Sequence, residues 1–291
     1  MTPPVAFIGL GIMGLPMAGH LLAAGHPLTV HTRTKSKADA LLAGGASWVD
    51  SPRQAAERAD VVFLCVTDTP DVRDVLLGEQ GVIAAARPGL IVVDHSTISP
   101  SATRDMAAAL AARQTTLLDA PVSGGDVGAR NATLSIMVGG DESAFRQIEP
   151  LLRHMGKTIT HCGPSGAGQL TKLVNQILVS VTNLAVSEAL VFARNNGLDA
   201  DKTVAALSGG AAGSWQLTNL GPRMLQGDFA PGFTIDLQQK DLRLVLEAAA
   251  HARTPLPALA LVHQLFTSAQ AAARGQDGTQ ALFTVIDKLS K

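Results

Sequence analysis

Residues 5–14 read Val5-Ala6-Phe7-Ile8-Gly9-Leu10-Gly11-Ile12-Met13-Gly14, an apolar run that feeds a G-x-G-x-x-G turn. Met17, Ala18, Leu21 and Leu22 follow at helical spacing. A strand turning sharply into a helix aims backbone N–H groups and the positive end of the helix dipole at one point, a place suited to a pyrophosphate. In that geometry Gly9 permits the turn, Gly11 admits the phosphates to the backbone, and Gly14 lets helix and strand pack closely. A glycine-rich turn that holds no ligand has no need of the strand before it and the helix after it. The context therefore predicts a dinucleotide site over Gly9, Leu10, Gly11, Ile12, Met13 and Gly14.

Further apolar runs at 28–31, 61–66, 90–94, 116–119, 134–138 and 158–162 are separated by amphipathic segments at 12–24, 35–43, 51–57, 100–112 and 142–154. That alternation predicts βαβ units around a parallel sheet, a Rossmann-type α/β domain. It stops at Gly163-Pro164-Ser165-Gly166-Ala167-Gly168, a cluster of chain breakers read as a hinge. One long helical pattern then runs from 169 to about 195, with Gly197 placed to end it. Helical segments at 201–207, 216–225, 237–252, 258–274 and 279–289 complete the chain. The expected organisation is a nucleotide-binding domain over 1–163 and an all-α substrate and oligomerisation domain over 164–291, joined by the long helix. A length of 291 residues suits two domains of about 150 each.

Composition narrows the function by exclusion. Lys and Arg total 23 against 24 Asp and Glu, and Tyr is absent, so neither a basic surface nor a stacking platform for nucleic acid is expected. The two cysteines make no disulfide framework, and Cys65 lies in an apolar run where it reads as a core residue. No histidine or carboxylate pair has supported ligand spacing, so no metal is expected. His26 and His251 read as loop or helix-surface residues, and His161 as a strand end. The apolar stretch at 177–193 is interrupted by Asn183, Ser187 and Glu188 and is shorter than the roughly 20 residues that span a bilayer. With no basic-then-apolar leader at the N-terminus, a cytoplasmic protein away from membranes is expected.

Two further segments carry chemistry. Lys172 sits in Leu170-Thr171-Lys172-Leu173-Val174-Asn175, with Asn175 three residues on and therefore on the same helix face. A lysine beside a ligand cleft holds its proton less tightly and can serve as a general acid. Equally, a helical lysine can snorkel to solvent from a half-buried helix. Asp119-Ala120-Pro121-Val122-Ser123-Gly124-Gly125 follows a strand with small residues that expose backbone N–H groups and a hydroxyl, a concavity suited to a carboxylate. An ordinary glycine-rich strand exit has the same composition.

Together these segments resemble the β-hydroxyacid dehydrogenase family, which includes 3-hydroxyisobutyrate dehydrogenases and tartronate semialdehyde reductases, and the resemblance runs through essentially the whole chain. It is carried by Phe7 to Gly14 continuing through Met17, Ala18, His20 and Leu21, by the Asp119–Gly125 loop, by Gly168-Gln169-Leu170-Thr171-Lys172-Leu173-Val174-Asn175, and by Gln239-Lys240-Asp241-Leu242. The resemblance implies that Lys172 is the general acid and base, that Ser123, Gly124 and Gly125 hold a substrate carboxylate, and that Asn175 orients the substrate. It further implies that Lys240 reaches the cofactor, that Asp241 helps place it, that Ser96 and Thr97 pass the nicotinamide ribose, and that Val66 and Thr67 lie beneath the pyrophosphate. The implied reaction is reduction of a small carboxylated aldehyde, or oxidation of a 3-hydroxy acid. The stretches 134–142 and 209–214 look nearer to the tartronate semialdehyde reductases, while Trp215 after Ser214 adds bulk near the pocket. A non-catalytic nucleotide-binding scaffold is the alternative of another class, and it would not need Lys172, Asn175 and Ser123 together. A homodimer or homotetramer is also expected, because a wide apolar helical surface is usually buried between subunits.

Cofactor choice turns on the end of the second strand, where a carboxylate would bind the ribose 2′-OH of NAD. The chain there reads His31-Thr32-Arg33-Thr34-Lys35-Ser36-Lys37, without an acid. Arg33 can pair with a 2′-phosphate, supported by Thr32, Thr34 and Lys37. NADP(H) is therefore expected to be favoured, with NAD(H) usable.

Overall fold

The computed structural model describes residues 2–291, which form two compact units that divide between Lys172 and Leu173. In chain order the first contains β1 (Val5–Ile8), α1 (Gly14–Ala23), β2 (Leu28–His31), α2 (Asp39–Ala43), β3 (Ser47–Trp48), α3 (Pro52–Glu57), β4 (Val61–Leu64) and α4 (Thr69–Leu77). It continues with β5 (Ile91–Asp94), α5 (Pro100–Ala111), β6 (Thr116–Asp119), β7 (Val122–Ser123), α6 (Gly125–Arg130), β8 (Leu134–Gly139), α7 (Glu142–Leu152) and β9 (Gly156–Gly163). The sheet order β3-β2-β1-β4-β5-β6 is parallel throughout, the doubly wound arrangement expected of a Rossmann-type domain. Central strands in such a sheet are covered on both faces and read as continuous apolar runs. Here Val5 and Phe7 pack with Met17 and Leu21 on one face, while Ala6 and Ile8 pack with Val62, Leu64 and Val92 on the other.

The parallel sheet expected from the sequence is found, with an antiparallel addition at one edge. Beyond Asp119 the chain stays extended through β7, and Gly124 and Gly125, at φ of +133° and +62°, turn it into α6. That short helix returns the chain so that β8 pairs antiparallel with both β6 and β7, and β9 then pairs parallel to β8. Two histidines also differ from the sequence reading. His26 is buried and donates from Nδ1 to Pro3 O at 3.1 Å, which satisfies the ring nitrogen inside the fold. His161 lies inside β9, and Cys65 is only partly buried against the core.

The second unit is helical. The division falls within α8 (Ala167–Asn195), followed by α9 (Ala200–Ser208), a widened turn at Gln216–Leu220 and α10 (Gly221–Gln226). Then come α11 (Ile235–His251), α12 (Pro257–Ala271) and α13 (Leu282–Leu289). Leu184, Leu190, Met224, Leu242, Val262, Phe266 and Leu282 are among its core. At 29 residues α8 is longer than the apolar stretch read from sequence, and by length and composition it could cross a bilayer. Its buried polar side chains argue for a core helix, since Asn183 donates to Thr279 O at 2.7 Å and Ser187 to Asn183 O at 2.8 Å within the unit.

Candidate active site

The β1–α1 turn separates its glycines by what surrounds them. A Cβ on Gly9 would come within 2.3 Å of Cys65 O, and one on Gly14 within 2.0 Å of Gly9 O, so the chain's own packing demands both glycines. A Cβ on Gly11 would meet nothing within 4 Å, so that position opens to space where a phosphate can approach the backbone. Met13 precedes α1 without a side-chain cap, and in the first turn Leu15 N donates to Gly11 O at 3.0 Å and Met17 N to Met13 O at 3.3 Å. Leu10 is buried beneath the turn and Ile12 is exposed above it. The cradle fits a dinucleotide pyrophosphate.

At the end of β2, Thr32, Arg33 and Thr34 lead into a 3₁₀ turn, Lys35–Ala38, that contains Lys37. Reading along the chain finds no acid here, and the fold supplies one. Asp71, in the first turn of α4, places Oδ1 3.3 Å from Arg33 Nη1, with the Arg33 side chain 83% exposed. Asp71 is also half of a capping box with Asp68 at the N-terminus of α4. Neither α4 nor its acid was expected, although Asp68-Thr69-Pro70-Asp71 is a legible cap signal.

The loops after β4 and β5 are tied together, since Val66 N donates to Ser96 Oγ at 2.9 Å. Thr67 is exposed on the first of these loops and Thr97 is half-buried on the second. Asp94 Oδ1 accepts from Ser96 N at 2.8 Å. His95 Nδ1 donates to Ala120 O at 2.7 Å, and its ring stacks on Phe63 at 5.7 Å between centroids. Burial lowers the His95 pKa from 6.5 to about 4, against the Ala120 bond that raises it, so the ring is neutral at pH 7.

Asp119, at the end of β6, is fully buried and accepts from Gly166 N and Gln169 N at 2.8 Å each, at the start of α8. Burial pushes its carboxyl above the ordinary value while bonds from Gly166, Gln169 and Gly168 pull it back. Gly168 and Gly139 make room for it, because a Cβ on Gly139 would stand 2.7 Å from Asp119 Oδ1. One turn beyond Gln169 comes Lys172, which is buried, contrary to a lysine reaching freely into solvent. Ser123 lies in β7, register partner of Ser135.

In the second unit Asn175 Nδ2 donates to Gln176 Oε1 at 2.8 Å, and Gln176 Nε2 donates to Asp241 Oδ2 at 2.6 Å. Lys240 Nζ lies 2.8 Å from Asp241 Oδ1. The chain Asn175–Gln176–Asp241–Lys240 thus joins the α8 and α11 motifs through Gln176, a buried residue that sequence reading passed over. No cluster of three or more His, Cys, Asp or Glu side chains able to hold a metal occurs among the described residues.

A doubly wound sheet with this glycine cradle, followed by a helical unit, defines an NAD(P)-binding oxidoreductase of two units. Residues 4–163 match the NAD-binding domain of 6-phosphogluconate dehydrogenase, and residues 166–286 match the NAD-binding domain of NADP-dependent 3-hydroxyisobutyrate dehydrogenase. The chain is 45% identical to 2-hydroxy-3-oxopropionate reductase of Escherichia coli, over 98% of each protein. It is 39% identical to NAD-dependent L-serine dehydrogenase of Pseudomonas aeruginosa, over 96% of this chain and 97% of that one. The solved structure of 3-hydroxyisobutyrate dehydrogenase from Mycobacterium tuberculosis with L-serine superposes with a TM-score of 0.89 at 34% identity, covering 98% of this chain and 99% of that one. The chain belongs to the β-hydroxyacid dehydrogenase family and is an NAD(P)-dependent oxidoreductase.

Proposed function

We propose that this enzyme reversibly reduces a small carboxylated aldehyde, tartronate semialdehyde to glycerate, with NADPH preferred and NADH usable. The observation that carries the reading is a buried Lys172 one turn beyond the anchored start of α8, with Asn175 three residues further on. When bound, the nicotinamide cofactor supplies or accepts the hydride at the carbonyl carbon. Lys172 gives its Nζ proton to the carbonyl oxygen as negative charge develops there, and takes it back in the oxidative direction. Ser123, Gly124 and Gly125 hold the substrate carboxylate, and Asn175 orients the substrate. Residues 1–163 act as the nucleotide-binding domain and 164–291 as the substrate and oligomerisation domain. Gly9 to Gly14, Val66, Thr67, Ser96 and Thr97 would hold the cofactor, and Lys240 and Asp241 would contribute to its binding. Arg33, with Thr32, Thr34 and Lys37, takes the 2′-phosphate.

The identity to the Escherichia coli reductase supports the substrate. A second reading, oxidation of another 3-hydroxy acid, is favoured by relatives named for 3-hydroxyisobutyrate and L-serine. A panel of short aldehyde acids and 3-hydroxy acids, followed by cofactor absorbance, separates the two. Tartronate semialdehyde should give the highest kcat/KM, and glyceraldehyde, which lacks the carboxylate, should lose roughly 10- to 100-fold, the worth of one charged hydrogen bond of about 1.5–3 kcal/mol. Comparable rates for the two would overturn the carboxylate assignment.

A further inference from the structure

Gln169 is fully buried, yet all its polar groups on the donor and acceptor side are matched. Its side-chain Oε1 accepts from Ile98 N at 3.1 Å, and its Nε2 donates to Ser96 O at 2.8 Å. Its own backbone N–H donates to Asp119 Oδ2 at 2.8 Å. One residue therefore fastens the segment after β5, the end of β6, and the first turn of the helix that carries Lys172. A buried amide that bridges a carbonyl and an N–H in this way fixes both position and direction, because reversing it opposes donor to donor. Ser96 is itself held from two other sides, through Val66 N and Asp94 Oδ1. Moving Gln169 therefore moves the loop expected along the nicotinamide ribose relative to Lys172, three residues away.

We infer that Gln169 is a positioning residue that sets the distance between the Ser96–Thr97 segment and Lys172, an inference that rests on the acid/base reading of Lys172. Misplacing reacting groups by about 1 Å can cost about 100-fold in rate. Leucine at this position fills similar volume but leaves Ser96 O and Ile98 N unmatched. Glutamate keeps the shape, and only its protonated form reproduces the amide, with its carbonyl oxygen accepting from Ile98 N and its O–H donating to Ser96 O. Such a carboxyl would face Asp119 and Asp94, the neutral His95 ring would neighbour the same loop, and Lys172 would lie one turn on. Burial and the two acids hold a carboxyl protonated well above its ordinary range.

The test compares Gln169→Leu, Gln169→Glu and Lys172→Ala with the parent enzyme across pH 5.5 to 9, measuring kcat, KM, and cofactor Kd by fluorescence, with circular dichroism at each pH. Gln169→Leu should lower kcat about 10- to 100-fold and weaken cofactor binding only a few-fold, leaving the NADPH-to-NADH ratio unchanged. Gln169→Glu, folded throughout, should regain kcat toward acid pH relative to the parent and lose it toward alkaline pH, a signature that loss of packing alone would not produce. A Gln169→Leu enzyme within threefold of the parent, or a folded Gln169→Glu enzyme with the parent's pH profile, overturns the positioning role while Lys172→Ala stays inactive. Near-normal turnover by Lys172→Ala overturns the acid/base reading instead, and the positioning of Lys172 with it.

Discussion

At the residue scale the proposed mechanism rests on Lys172. If its ammonium donates the proton, Lys172→Ala should lower kcat by the factor of about 10²–10⁴ typical of general acid catalysis, with cofactor Kd nearly unchanged. Lys172→Arg should fail as well, because a guanidinium does not release its proton near neutral pH. Turnover close to the parent's in a folded Lys172→Ala enzyme would remove the mechanism. Arg33 and Asp71 decide a subtler matter. With Arg33 exposed and Asp71 half-buried, the pair is worth about 0–1 kcal/mol by itself. If Arg33 takes a 2′-phosphate as proposed, Asp71 would compete for the same guanidinium and repel the phosphate. Asp71→Asn should therefore raise the NADPH-to-NADH ratio of kcat/KM a few-fold, and Arg33→Ala should lower it. An unchanged ratio in Asp71→Asn would show that the acid stands clear of the cofactor. A scan along the chain cannot see this pair, because Arg33 and Asp71 meet only after two strands have paired on either side of β1.

At the scale of elements, the strongly periodic segments were readable and the short ones were not. The expected β2 and β6 match the observed strands end for end, and α8 is found two residues longer at its start. Missed were β3, β7, α4 and α6. Two of these are two-residue strands, too short for any alternation to register, and α6 depends on positive-φ glycines that read as loop. The antiparallel turn at β8 was hidden for the same reason. Of the site, Lys172 and the glycine turn stood out through local pattern, while Gln169 and Gln176 matter through partners distant in sequence. The β5 end also carries a pH dependence. His95 titrates near 4 when folded and near 6.5 when unfolded, so the unfolded chain binds the extra proton between those values. Its contribution is present above pH 6.5 and is lost as pH falls toward 4, amounting to about 3 kcal/mol at most. Denaturant unfolding of His95→Gln should show a shallower loss of stability across that window than the parent, and equal slopes would contradict the assignment.

At the scale of the whole molecule, Leu170, Val174 and Leu178 repeat every four residues along α8 and are exposed, as is Phe192 further on. A stripe of that kind fits burial between copies of the chain, so a dimer or tetramer built on the helical unit is the expected state. Light scattering at micromolar concentration should give that mass, and a monomer there would exclude it. The glycine turn has a different consequence for the chain as a whole. Gly9 and Gly14 are required whether or not a cofactor ever arrives, whereas nothing in the polypeptide itself asks for Gly11. A descendant that abandoned catalysis and survived as a bare scaffold could drift at Gly11 without any defect in folding. Its neighbours five positions apart would stay fixed, so the middle glycine is the one that records whether the site is still in use.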